Sequence, residues 1–243
     1  MDSSKDILIL ALETSTDACS VALSRNGQTI DFDIVTEPRM QTSRLAPMTD
    51  GILRRNGIGA KDCAAVAVSS GPGSYTGLRV GVSMAKGLCF GASVPLIAVN
   101  TLDLLAAQGL SMYKSNHGEK RADAVVPMID ARRMEVYTAI YSSDGQRLTD
   151  IEPRIIESLD SLASSTPAID LSSSVILFIG DGVAKCESVL SGPGRSFRQE
   201  CPRASAMKAP AMREYAEGAF RNTAYFEPFY LKDFVATVGK KLF

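Results

Sequence analysis

The chain has 243 residues, 45% of them hydrophobic and 22% charged, with a formal net charge of −1. That length buries a real core in one large or two small domains, and the near-neutral charge argues against a chain that grips nucleic acid without a local basic cluster. No apolar run approaches the roughly 20 residues that span a bilayer, and five scattered cysteines without a C-x-x-C read as reduced thiols of a cytoplasmic protein.

Asp6 to Glu13 is a compact apolar run suited to a buried strand. Ala18 to Ser24 reads as a second strand and Thr29 to Val35 as a third. Asn-Gly within "RNGQ" between them is a hairpin signal, because both residues tolerate positive φ. From Ser43 to Asn56, Leu45, Met48, Ile52 and Leu53 recur at helical spacing, and Gly57 and Gly59 follow. "AAVAVSS" is a fourth strand, leading into "GPGSYTGLRVGVSMAKGLCFGA", a glycine turn and a helix rich in small residues. "PLIAVN" is a fifth strand.

The second half repeats the plan. Asp123 to Asp130 and Glu135 to Ser142 read as strands, "SDGQ" as a hairpin turn, and "RLTDIEPRI" as a third strand. A Ser-rich helix is expected near Ser158 to Ser165, then a strand and glycine turn over Ser174 to Gly182, then a helix. The repeat predicts an α/β protein of two lobes with duplicated βββαβα units, joined near Asn100 to Leu105. Residues 1–100 form the first lobe and 101–243 the second, with the C-terminal tail packing back. The turns "ETSTD" and "DARRM" would face each other across a cleft, as in two-lobed folds of the actin and hexokinase type. "KSNHGEKR" reads as a solvated loop, and so do "SSTPAIDLSSS" and "SGPGRSFRQECPRAS".

Candidate chemistry is sparse. The one histidine, His117, sits in a polar context, and no H-E-x-x-H or His/Cys cluster suggests a metal. "GPGSYTG" lacks the Gly-Lys-Ser/Thr of a P-loop. Glu13, Thr14 and Ser15 at a strand-end turn, with Gly71, Gly73, Gly180 and Gly182, are the candidate nucleotide or phosphate contacts. A capped turn satisfied by its own Ser and Thr side chains is the alternative.

The segments "LILALETSTDACSVAL", "SSGPGSYTGLRVGVSMAKGL", "IDARRMEVYTAIY" and "EPFYLKDFVA" resemble the TsaB (YeaZ) family in order and spacing along nearly the whole chain. The resemblance implies the two-lobed actin-like (ASKHA, ribonuclease H-like) fold and a role in making threonylcarbamoyladenosine at position 37 of ANN-decoding tRNAs. It implies a non-catalytic partner of the paralogue TsaD, acting with the ATPase TsaE, with tRNA contacted only indirectly. In TsaD-like proteins an H-x-x-x-H pair after "PL..VN" helps bind the metal; Thr101 and Leu105 stand there, and neither replaces an imidazole. No cofactor is then required, and at most weak nucleotide binding is expected. An actin–hexokinase type phosphotransferase is the alternative function, and an M22-like peptidase a remote one.

Four glycines in the long helix cost about 1 kcal/mol each relative to alanine, less near its ends. Close packing must compensate, and part or all of it is internal, against the lobe's own sheet. The resemblance implies that helices 42–57 and 76–92 meet their counterparts in TsaD, or in a second copy of the chain, as a four-helix bundle. Leu45, Met48, Ile52, Gly77, Gly81, Met84, Ala85 and Leu88 are the expected interface. Gln41 to Ser43 are expected to cap the first helix, and Ser74 or Thr76 the second.

Overall fold

A computed structural model describes residues 6–118, 121–163 and 169–232. Strands β1 (Leu8–Glu13), β2 (Cys19–Arg25) and β3 (Gln28–Val35) form an antiparallel meander. The turn from β2 to β3 places Asn26 at φ 49° and Gly27 at φ 76°, the primed geometry that Asn-Gly favours. Helix α1 (Gln41–Arg55) leads to β4 (Ala65–Gly71), α2 (Tyr75–Ala92) and β5 (Leu96–Asn100). Strands β4 and β5 add in parallel beside β1, giving the order β3-β2-β1-β4-β5.

After α3 (Thr101–His117) the second lobe is built from β6 (Ala124–Asp130), β7 (Glu135–Thr138), β8 (Tyr141–Ser142) and β9 (Glu152–Ile155). Then come α4 (Asp160–Ala163), β10 (Ile176–Ile179), α5 (Glu187–Leu190) and β11 (Arg195–Arg198). Its sheet runs β9-β7-β6-β10-β11, with β8 also pairing β6. This is the order of the first lobe, so the duplication inferred from the spacing of turns is a duplication of topology. The fold is the two-lobed actin-like one.

Helix α3 is the wall between the lobes. Leu104 packs on the first lobe's sheet, while Leu102, Leu105 and Ala106 pack on the second. Helices α1 and α2 cover one face of the first sheet through Leu45, Ile52, Val82 and Cys89. The other face is covered by a late segment: a 3-10 turn over Ala204–Met207 and helix α6 (Lys208–Ala216) bring Ala204, Met207 and Ala211 against Ile9, Ala65 and Ile97. Pro210 is tolerated in the first turn of α6, where no amide bond is lost.

Several expectations change. The run Glu135 to Ser142 breaks at Ala139 into two strands, and "RLTDIEPRI" is a strand only over Glu152–Ile155. The helices after Ser158 and after Gly182 are single turns, and Ser164 and Ser165 lie outside the described residues. Lys114 to His117 are the last turn of α3, not a loop, while Glu119 and Lys120 lie outside the described residues. The segment read as the loop "SGPGRSFRQECPRAS" supplies β11 and the 3-10 turn, because Phe197 stacks on Phe178 at 5.1 Å.

Candidate functional site

The two strand-end turns of the first lobe interlock. Thr14 Oγ1 donates to the Gly77 carbonyl at 2.7 Å, and the Ser74 amide donates to the Ser15 carbonyl at 2.7 Å. Ser74 caps α2 by accepting from the Gly77 amide at 3.3 Å. A Cβ on Gly73 would sit 2.3 Å from the Ser15 carbonyl oxygen, and one on Gly77 would sit 1.9 Å from that of Thr14. Gln41 does not cap α1; its Nε2 donates to the carbonyls of Thr16 at 2.7 Å and Asp17 at 3.2 Å, fastening the helix to the same turn.

The residues expected to contact a phosphate are held as follows. Glu13, Thr14 and Ser15 are fully buried. Ser15 spends its amide and hydroxyl on Glu13 Oε1, at 2.6 and 2.5 Å. Gly71 and Gly73 face protein backbone, since a Cβ on Gly71 would stand 2.4 Å from the Phe229 carbonyl oxygen. In the second lobe a Cβ on Gly180 would meet the Met128 carbonyl oxygen at 1.9 Å, and one on Gly182 would meet Val136 at 2.9 Å. Each glycine admits a neighbouring strand or turn at close quarters.

The floor between the lobes is acidic. Asp181 Oδ1 accepts from the Asp130 amide at 2.9 Å. Burial, with the nearby Asp130 and Asp17 charges, pushes the Asp181 carboxyl up to about 6. Burial raises Glu13 as well, against the pull of the Ser15 bonds, and Asp181 adds to the rise. Glu13 Oε2 has no hydrogen-bond partner. A protonated carboxyl there is the state low dielectric favours. Among the described residues no group of three or more His, Cys, Asp or Glu is placed to hold a metal.

Thr101 and Leu105 are both fully buried in α3; the Thr101 hydroxyl has no partner, and Leu105 lies in the second lobe's core. The side chain of His117 is outside what the structure describes.

Most residues of the expected partner face pack inside the first lobe. Leu45, Ile52, Gly77, Gly81 and Ala85 are buried within the first lobe, and Met48 is nearly so. A Cβ on Gly81 would lie 2.3 Å from Thr14 Oγ1. The small-residue stripe thus serves the lobe's own strand end. Met84 and Leu88, with Val80, are partly buried against the same core. What α2 turns outward is a different row: Phe90 is 83% exposed, and Gly87 and Gly91 have nothing within 4 Å of a notional Cβ.

A C-terminal strap, which no periodicity in the sequence marks, runs along the other flank of α2. The Arg221 amide donates to the Leu96 carbonyl at 2.8 Å and the Phe229 amide to the Ser70 carbonyl at 2.7 Å. Lys86 Nζ reaches the Phe226 carbonyl at 3.0 Å. Tyr230 stacks on Tyr75 with ring centroids 4.7 Å apart, and Lys232 pairs with Glu135 in the second lobe. Under this strap lies an open cavity of about 670 Å³, lined by Asn100, Asp103, Arg147, Arg213 and Glu214 among others. Its cations and carboxylates are interspersed, and Asp103 is already engaged by the Tyr141 hydroxyl at 2.6 Å and Arg147 at 3.5 Å.

A family model described as TsaD, tRNA N6-adenosine threonylcarbamoyltransferase, matches residues 38–239. The Escherichia coli K12 protein named tRNA threonylcarbamoyladenosine biosynthesis protein TsaB is 34% identical over 244 residues, covering 94% of this chain and 96% of its own. The Haemophilus influenzae protein of that name is 41% identical over 133 residues, and that match covers 55% of this chain and 53% of the relative. Among solved structures, YeaZ from Pseudomonas aeruginosa aligns with a TM-score of 0.79 at 28% identity, over 93% of this chain and 100% of that one. No helix among the described residues is long and apolar enough to cross a membrane.

Proposed function

The chain belongs to the TsaB (YeaZ) family, and on that premise we propose that it is a non-catalytic subunit of tRNA threonylcarbamoyladenosine biosynthesis that binds and activates TsaD and, through it, engages TsaE. The reaction supported is transfer of the threonylcarbamoyl group from its adenylate to adenosine 37 of ANN-decoding tRNAs. The observation that carries the non-catalytic reading is the filled turn: Thr14 and Ser15 occupy, with their own carbonyls, the space in front of Gly73 and Gly77. Turns packed against each other in this way leave less room for a transferred phosphate, which disfavours the phosphotransferase alternative. The apolar Leu105 and the weak donor Thr101 at the histidine positions support the same reading.

The partner surface in this reading is the outward row of α2 around Phe90, rather than the glycine stripe beneath it. An exposed aromatic beside two bare glycines lets a second helix approach closely and gives it an anchor. A second copy of the chain would use the same row, so homodimer and heterodimer exclude each other. Reconstitution of tRNA modification from TsaD, TsaE and the threonylcarbamoyl adenylate, with and without this chain, tests the proposal. The rate should fall sharply without it; an unchanged rate rejects the activator role.

A further inference from the structure

The β6–β7 hairpin ends in an arginine pair held in an unfavourable conformation. Arg132 has φ 68° and Arg133 φ 52°, in the left-handed region where Gly and Asn are at home. The surroundings over-determine this shape. The Arg132 amide donates to Asp130 Oδ1 at 2.6 Å, and Lys185 Nζ donates to Asp130 Oδ1 at 2.7 Å, the Glu135 carbonyl at 2.6 Å and the Arg133 carbonyl at 3.1 Å. Backbone strain that a framework maintains in this way is a pointer to function.

The charge balance gives the function its sign. Both carboxylates at the base of the hairpin are countered by lysines, Asp130 by Lys185 and Glu135 by Lys232. Arg132 and Arg133 form no ion pair with a described residue, and both are exposed, as is Met134 at 56%. The tip therefore carries two surplus positive charges on a chain whose net charge is −1.

The strip continues across the mouth of the cleft. Lys232 Nζ lies 5.7 Å from the Tyr137 ring centroid, and the Tyr75 hydroxyl donates to the Lys232 carbonyl. Beyond it Arg79 sits over the stacked Tyr75 and Tyr230 rings, 5.8 and 5.7 Å from their centroids, and donates to the Tyr230 hydroxyl at 3.2 Å. Arginines spaced along a rim that joins the lobes match the repeating phosphates of an RNA backbone better than a single small anion. The carboxyls of Asp17 and Asp181 on the floor keep such a strand on the rim.

We propose that Arg132 and Arg133, with Arg79 across the cleft mouth, bind the phosphate backbone of RNA, the substrate tRNA in the reading above. This inference rests on that reading for the identity of the RNA, and it replaces an indirect role with direct contact.

The test is fluorescence anisotropy of a labelled ANN-decoding tRNA, titrated with the full-length chain alone and with the chain plus TsaD, over a range of salt. The variant is R132G/R133G, which removes both charges and relieves the backbone strain, so weaker binding does not reflect misfolding. Affinity is expected to fall about tenfold, and the slope of log K against log salt to shrink by about 1.4, at roughly 0.7 per lost phosphate contact. R132K/R133K should keep most of both. Unchanged affinity and slope in the glycine variant would overturn the proposal. So would inorganic triphosphate competing as well as RNA, which would assign a free-phosphate site. A chain that binds tRNA through these arginines but not TsaD keeps this inference and rejects the scaffold role. A complex that assembles, yet is indifferent to the arginines, rejects this inference alone.

Discussion

Thr14 and Gly77 are locked to each other: the Thr14 hydroxyl donates to the Gly77 carbonyl at 2.7 Å, and the Thr14 carbonyl fills the place of a Gly77 side chain. One turn on, Gly81 lies under the Thr14 hydroxyl. The first strand and the long helix, 63 residues apart in sequence, are thereby held at backbone contact.

Gly77→Ala forces a Cβ against a carbonyl that cannot move without breaking the turn, and is expected to cost at least about 3 kcal/mol. Gly81→Ala clashes with the Thr14 hydroxyl and meets Val68 at ordinary contact distance, so its cost should shrink by about 1 kcal/mol or more when Thr14→Ala is also present. Urea unfolding of the two singles and the double gives the coupling. Additive costs would mean that Thr14 and Gly81 do not share the site described.

Phe90→Asp places a charge on the outward row of α2 without touching the lobe's core, so its urea midpoint should stay within about 0.5 kcal/mol of the parent chain. Association with TsaD, and self-association, should each weaken by tenfold or more in sedimentation experiments. If only one of the two weakens, the two assemblies do not share this surface.

The strands and the duplication were legible because both are local or periodic. Apolar runs mark β1 and β2, alternation marks β3, Asn26-Gly27 marks the turn between β2 and β3, and the matched glycine turns mark the two halves. The facing of α2 was not legible. Gly77, Gly81, Ala85 and Cys89 form the same stripe whether it meets a partner helix or the chain's own sheet, and the deciding atom is a carbonyl at Thr14. That the tail packs back was expected, but the course of the strap was illegible for another reason. Residues 219–232 form no ladder or helix of their own and are held by isolated bonds such as Phe229 to Ser70, which leave no pattern in a single sequence. The arginine pair was visible in "DARRM", but its left-handed backbone and its surplus charge depend on Lys185 and Lys232, some 50 and 100 residues away.

Stability should fall as pH rises from about 4 to about 6. Asp181 stays protonated up to about 6 in the folded chain, whereas unfolding returns its carboxyl to the ordinary value of 3.8. In that window the unfolded state binds fewer protons, so each step up in pH favours it; above the folded value the loss is complete. For a partly buried group the loss is on the order of 2 kcal/mol. Glu13, raised by burial, acts in the same direction. Urea midpoints measured from pH 4 to 7 should show the decline, and Asp181→Asn should flatten it. A midpoint that climbs through this window would show that the cleft carboxyls are ionised in the folded state.

The arginine hairpin predicts a trade between stability and binding. Each non-glycine residue in the left-handed region costs roughly 1 kcal/mol, and glycine removes that strain while loosening the unfolded chain, which offsets part of the gain. Lys185 continues to hold the hairpin, because its partners there are the Asp130 carboxylate and the carbonyls of residues 133 and 135. R132G/R133G should therefore be as stable as the parent chain or raise Tm by about 2–4 °C per kcal/mol gained, as expected for a chain of this size. Calorimetry of the variant checks this directly. A marked drop in Tm would mean that the two side chains contribute packing of their own, and that the strain at the tip is not maintained for the sake of an exposed positive charge.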